Sequence, residues 1–164
     1  MFILSQSLVA IATLLDLASF QFKQRQAILA CLFSSVLLTS VHFMLLENFS
    51  AACLMLIAAL RYGYCIFAHK SWVMIAFMLL SISAVLFTWH SWVSFIALSA
   101  TLLQTYASFQ GKDFTLRILM IVGTIGWIVH NILVFSPLAV LMETVFLISN
   151  LVGLWRFYAH PKPA

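Results

Sequence analysis

The chain has 164 residues; 65% are hydrophobic, only 7% are charged, the formal net charge is +4 and the mean hydropathy is +1.13. A soluble domain usually carries about 25% charged residues, so this composition excludes a water-covered surface and points to an all-α integral membrane protein whose main partner is the lipid bilayer. The eight Lys and Arg residues are dispersed, which excludes a nucleic-acid footprint, and little polar surface is left to line a large water-filled vestibule.

Seven hydrophobic helices are predicted, each ended by charges or turn residues. Residues 1–10 contain an apolar run with no Lys or Arg before it. A cleaved signal peptide needs a basic start, so the first segment reads as a retained helix over 2–20. Gln21, Lys23, Gln24, Arg25 and Gln26 break the chain before helix two, 27–46. Glu47 and Asn48 precede helix three, 49–67, and His69, Lys70 and Ser71 precede helix four, 72–89. His90 and Ser91 lead into helix five, 92–109; the polar stretch 110–115 leads into helix six, 118–135. Ser136 and Pro137 open helix seven, 138–157. Most of these spans approach the ~20 residues that cross a ~30 Å hydrocarbon core at ~1.5 Å per residue.

Seven crossings put Lys23, Arg25, Lys70, Lys112, Arg117, Arg156 and Lys162 on one side and leave Arg61 inside helix three. Lys and Arg resist translocation. The expectation is a multi-pass protein of the bacterial inner membrane, N-terminus outside and C-terminus cytoplasmic. Trp72, Trp155 and Tyr158 fall at inner ends and Trp89 and Trp92 at outer ends, as interfacial anchors. Trp127 is mid-span, after Gly123 and Gly126, two small residues that allow close helix approach. It reads either as a packed core residue or as a surface on which a ligand stacks. Cys31, Cys53 and Cys65 all lie in apolar stretches, odd in number and without metal or haem spacing. They read as small buried hydrophobes, and no cofactor is expected.

The chain contains an internal repeat. Ala18-Ser19-Phe20-Gln21-Phe22-Lys23 matches Ala107-Ser108-Phe109-Gln110-Gly111-Lys112 at five of six positions, offset by 89 residues. His42 and His130 are offset by 88; Gly63 and Phe67 match Gly153 and Phe157 at 90. A near-constant offset over three helices argues for duplication. The predicted architecture is a single transmembrane domain over 1–164: one three-helix unit (1–67), a connector helix (72–89) and a second three-helix unit (92–158). An odd connector makes the two units parallel, with a central cleft between them.

This three-one-three plan, with a Gln-Lys element ending the first helix of each unit, resembles the SWEET, SemiSWEET and PQ-loop transporters and the vitamin transporter PnuC. Over nearly its whole length the chain looks most like the YgjV family of bacterial inner-membrane proteins. The residues that carry that likeness are Ser19-Phe20-Gln21, Ser108-Phe109-Gln110, Trp127 with His130-Asn131, and the stretch from Ser149-Asn150-Leu151 to Arg156-Phe157-Tyr158. Gln21 and Gln110 match the PQ-loop glutamines, whereas Phe20 and Phe109 stand where that family has proline. The resemblance implies a substrate contact from Asn150, because SWEET-type proteins offer an Asn from the third helix of each unit. Its counterpart in the first unit would be Leu60 or Arg61.

Ionisable groups within a bilayer are costly, so each is a candidate for function. An inner layer holds Asp16, Arg61, Gln104 and Asn150. Arg61 lies about 9 Å from the end of its helix, within snorkelling reach, and an Asp16–Arg61 pair fits one unit. A cavity carrying Arg61 would favour an anionic or carboxylate-bearing ligand. An outer layer holds His42, His130, Asn131 and Glu143, which either gate the outer mouth and relay protons or hydrogen-bond between helices. Two His and one Glu fall short of a metal site. No G-x-S-x-G, H-E-x-x-H or Walker element occurs, so no catalytic residues are assigned.

The function expected is small-molecule transport by rocking of one unit against the other. Arg61, Asn150 and Trp127 would contact substrate, His42, His130 and Glu143 would gate, and Asp16 would orient Arg61. The alternative is a ligand-binding or accessory membrane protein of the same fold that does not transport, which the missing prolines favour.

Overall fold

The computed structural model describes residues 2–19, 25–68, 70–110, 113–155 and 158. Seven α-helices and no strand make up these residues: α1 Phe2–Ser19, α2 Arg25–Leu45, α3 Phe49–Cys65, α4 Ser71–Phe87, α5 Val93–Ser108, α6 Asp113–Leu133 and α7 Pro137–Leu154. Gln21, Lys23, Lys112, Arg156, Phe157 and Lys162 lie outside the described residues. The largest departure from expectation is the start of α6, at Asp113 rather than residue 118. Part of the polar run that read as a loop supplies its first turn instead.

The turns after α2 and α6 are built alike. Glu47 (φ 57°) and Phe135 (φ 53°) are both left-handed non-glycine residues, 88 positions apart. The Asn48 amide donates to the Phe43 carbonyl at 2.9 Å, and the Ser136 amide to Asn131 at 3.0 Å. The Glu47 and Phe135 amides donate to Met44 (3.0 Å) and Ile132 (3.1 Å). These are the two bonds of a Schellman helix end. Each turn then starts the next helix: the Asn48 side chain accepts from the Ala51 amide, and Pro137 opens α7, where its missing N–H costs nothing. A side chain in the left-handed region costs roughly 1–2 kcal/mol, partly offset by glycine's greater unfolded-state freedom. Glu47→Gly and Phe135→Gly are therefore each expected to raise stability by about 0.5 kcal/mol. Unfolding midpoints in detergent check this, and a loss of stability at both positions would contradict it.

Helix α2 packs between α1 and α3, and α6 between α5 and α7. The two trios meet along two seams, α3 against α5 and α1 against α7, while α4 touches only α3 and α5. Ala51, Leu54, Ala97 and Ala100 are buried at the first seam; Val9, Ala12, Ala139 and Met142 are buried at the second. Every member of one set lies 88 residues from a member of the other. Alanines let the helices approach closely.

Gly123 and Gly126 face α5. A Cβ at Gly123 would sit 2.6 Å from Gln104 Cγ and 3.2 Å from the Ala100 carbonyl oxygen; one at Gly126 would sit 3.0 Å from the Ala100 Cβ. The backbone oxygen cannot move without moving α5. Gly123→Ala is expected to cost about 1–3 kcal/mol from overpacking and to push Gln104 from its place. Thermal unfolding checks it; an unchanged midpoint would mean that the two helices slide apart freely.

The bundle buries polar side chains beside its apolar core and exposes large apolar ones. Ser5, Asp16, Thr39, His42, Arg61, Thr105, His130 and Asn131 are all buried, while Ile3, Leu14, Leu79, Leu86, Ile132 and Ile148 are all exposed. Among the described residues, no single helix is long and apolar enough to cross a membrane.

Candidate functional site

A cavity of about 380 Å³ lies between the trios. Asp16 enters it from α1, Ser35 and Thr39 from α2, Arg61, Tyr62 and Cys65 from α3, Gln104 and Ser108 from α5, Thr124 from α6, and Glu143, Phe146 and Asn150 from α7; α4 contributes nothing. Most of the lining falls into pairs 88 residues apart: Asp16 with Gln104, Leu32 with Met120, Val36 with Thr124, Met55 with Glu143, Ala58 with Phe146, and Tyr62 with Asn150. Both trios therefore present the same helix faces to one space.

All four predicted inner-layer residues line this cavity, with Arg61 2% and Asp16 4% exposed. Arg61 does not pair with Asp16. Its Nη1 donates across the seam to Thr105 Oγ1 on α5, and its Nε has no hydrogen-bond partner among the described residues. Asp16 is hydrogen-bonded to Ser35. Asn150 Nδ2 donates to the Phe146 carbonyl one turn back, at 3.2 Å, leaving its side-chain oxygen for the cavity. Its counterpart at the 88-residue offset is Tyr62, neither Leu60 nor Arg61.

Glu143 corrects the predicted outer layer. It lines the cavity, as Asp16 does. Distance from the end of α7 alone would group it with the histidines, but it lines the cavity and they do not. Trp127 is a second correction. It is 1% exposed and packed in the core with Phe43, at 6.0 Å between centroids and 30° between planes, and it does not line the cavity. Of the two predicted glutamines, Gln21 is outside the described residues, and Gln110, just past the end of α5, donates from Nε2 to the Tyr106 carbonyl of that helix (3.4 Å).

One turn beyond Thr39 and Thr124 the interior is stoppered. Phe43 and Trp127 stack there, and the two histidines flank them: Phe43 meets His42 at 4.9 Å and His130 at 5.5 Å, edge to face. Each histidine clasps the opposite trio. His42 Nε2 lies 2.9 Å from the Ser136 hydroxyl, and its Nδ1 is 2.9 Å from the Ser5 carbonyl. His130 Nε2 lies 3.1 Å from Asn48 Nδ2, and its Nδ1 is 3.2 Å from Asn131 Oδ1. A neutral ring protonated on Nδ1 satisfies every one of these contacts: Nδ1–H donates to oxygen and Nε2 accepts from the other trio. Ser136 and Asn48, the residues reached, precede α7 and α3 and are again 88 apart.

Two more contacts close this end. The Gln6 side-chain oxygen accepts from the Leu138 amide at 3.2 Å, and Ser94 Oγ donates to Ser50 Oγ at 3.1 Å. Sequence reading missed Ser5, Gln6, Asn48, Thr105 and Ser136. The signal for Asn48 and Ser136 was present: they are polar cap residues at the offset that relates His42 to His130. Among the described residues no three His, Cys, Asp or Glu side chains converge on a metal position.

The chain matches the family model for a bacterial inner membrane protein, Imp-YgjV, over residues 3–160. It is 28% identical over 165 residues to the inner membrane protein YgjV of Escherichia coli (strain K12), covering 97% of this chain and 87% of that protein. No solved structure matches it. With a family match over nearly its entire length, the chain belongs to the YgjV family of bacterial inner membrane proteins.

Proposed function

We propose that the seven helices cross the inner membrane together as two parallel three-helix units joined by α4, N-terminus outside, and that they carry a small molecule through the cavity between the units. Support for the membrane reading comes from the bundle as a whole. Judged singly, helices of 16 to 21 residues, interrupted by polar positions, fall short of an ideal span. Bundled, they turn those polar positions inward and leave an apolar outer surface, which is the arrangement lipid demands. Support for the parallel repeat is the offset of 88, which recurs in the turns, both seams, the cavity and the histidine clasps. Related units with their seam at a substrate chamber are a transporter arrangement.

The observation that carries transport is the cavity itself. Charged residues from both units share a space that is stoppered at the end where α3 and α7 begin, and its lining extends to Cys65 and Ser108 at the ends of α3 and α5. Rocking about the seams would break the clasps and expose the same residues to the other side. The test is solute flux into proteoliposomes, with isotope-labelled metabolites and empty vesicles as the control. Protein-dependent accumulation is expected, with Arg61→Ala reducing its rate at least about tenfold. Rates equal to empty vesicles for every solute, or no effect of Arg61→Ala, would sink the reading.

A further inference from the structure

We infer that His130 is a proton-binding site that releases the stoppered end: a proton taken up at its Nε2 breaks the clasp to Asn48, whereas the same event at His42 leaves its clasp intact. The inference rests on the reading that the trios part at this end. The two rings stand 88 residues apart, and so do the groups they hold, but those groups differ in kind.

His42 Nε2 meets a hydroxyl, Ser136 Oγ, at 2.9 Å. A hydroxyl donates or accepts by rotating about one bond. When His42 gains a proton, Nε2–H donates to the Ser136 oxygen and the contact persists. His130 Nε2 meets an amide nitrogen, Asn48 Nδ2, at 3.1 Å, and that nitrogen only donates. A proton on Nε2 therefore sets two N–H groups against each other. Turning the amide over would bring its oxygen to the ring, but Asn48 Oδ1 already accepts from the Ala51 amide at 3.2 Å as the cap of α3. A backbone N–H is a donor and nothing else, so the turned amide would face Ala51 with a second donor. The proton breaks either the clasp or the cap. Nδ1 gives no relief, because it lies 3.2 Å from Asn131 Oδ1 and carries the proton which that oxygen accepts.

The clasp lies beside a route from outside. Asn48 lines a groove of about 750 Å³ between the ends of α2, α4 and α6 and the starts of α3 and α5, together with Glu47, His90 and, one turn after His130, Leu133 and Val134. Glu47 and His90 are groups that exchange protons with solvent at its mouth. The side chains that meet the His130 ring are Phe43, Trp127, Asn48 and Asn131, all uncharged. Of the helices packed against α6, α5 carries one ionisable group, Tyr106, towards its far end, and α7 carries Glu143, which lines the cavity. Helix α2 brings His42 against Phe43, while its Arg25 and Cys31 lie towards its other end. No carboxylate pairs with the His130 ring among the described residues to hold it charged in the closed state.

The experiment uses the full chain, with Cys31→Ser and Cys53→Ser, in right-side-out membrane vesicles. Cys65, in the cavity lining, is labelled from outside by a membrane-impermeant maleimide while the external pH alone is lowered from about 7.5 to about 5.5, across the ordinary imidazole range. The parent is compared with Asn48→Asp, whose carboxylate caps α3 with one oxygen and accepts from a protonated ring with the other. Dividing one by the other at each pH cancels the titration of the thiol itself. The ratio of parent to variant labelling is expected to rise at least about fivefold as the pH falls. Asn48→Ser, whose hydroxyl rotates as that of Ser136 does, is expected to behave like Asn48→Asp and replaces it if the aspartate variant fails to fold. A ratio that stays flat overturns the inference. A flat ratio together with solute flux would leave transport standing without the proton latch; a rising ratio without flux of any solute would do the reverse. Absence of outside labelling at every pH would overturn both.

Discussion

Oxidising a Ser50→Cys/Ser94→Cys variant is expected to cut labelling of Cys65 from the outer side of the membrane at least about tenfold, and adding a reductant should restore it. Cys65 is native, buried and part of the cavity lining. Cys31 and Cys53 would first be replaced by serine. The two serines already touch across the α3–α5 seam at 3.1 Å, so a disulfide there asks for little backbone movement. It would tie the two trios at the stoppered end. A membrane-impermeant maleimide reaches Cys65 from outside only when that end opens, so a covalent tie should hold it closed. The same reagent applied from the inner side should label Cys65 with or without the tie. Equal outside labelling of oxidised and reduced protein would mean that the trios do not part there, and the rocking cycle would fail with it.

His130→Ala is expected to destabilise the protein by about 2–4 kcal/mol. The ring is fully buried. Removing it takes away the edge contacts with Phe43 and Trp127 and leaves a hole beside them. It also strands the Asn48 amide group, whose oxygen caps α3, and frees the Asn131 oxygen of its donor. His42→Ala should cost a similar amount, because it strands Ser5 and Ser136 in the same way. The double variant should depart from additivity, since Phe43 touches both rings. Urea unfolding in detergent measures all three. A cost below about 0.5 kcal/mol for each single variant would mean that water replaces the clasps without penalty.

The helices themselves were legible because their causes are local. Mostly apolar runs are punctuated by charges and turn residues, and that pattern survives any packing arrangement. Asp113 to Arg117 misled because polar residues suit the first turn of a helix as well as a loop. The site was half legible. Asp16, Arg61, Gln104 and Asn150 stood out as polar groups in apolar runs, and they share one cavity. Depth along a helix could be counted from its ends, and that count put Glu143 with the histidines. Direction around the helix could not be counted, and direction decides which residues meet.

A single residue of misalignment turns a helix by about 100°. The repeat read from sequence drifts between 88 and 90, so it matched Asn150 with Leu60 or Arg61. The seams, the turns and the clasps hold pairs of residues 88 apart, and at that offset Asn150 falls with Tyr62 and Arg61 with Ser149. Trp127 illustrates the same division. Its neighbours Gly123 and Gly126 signalled close packing, but only the contact with α5 established that they clear room for Ala100 and Gln104. The spacing of polar breaks determined by itself that this chain folds as seven mostly apolar helices, since each break acts on residues near it in the chain. Only the tertiary structure decided that two carboxylates and one guanidinium face a common space with histidine clasps beyond it, because helix rotation is set by seams between residues far apart in sequence.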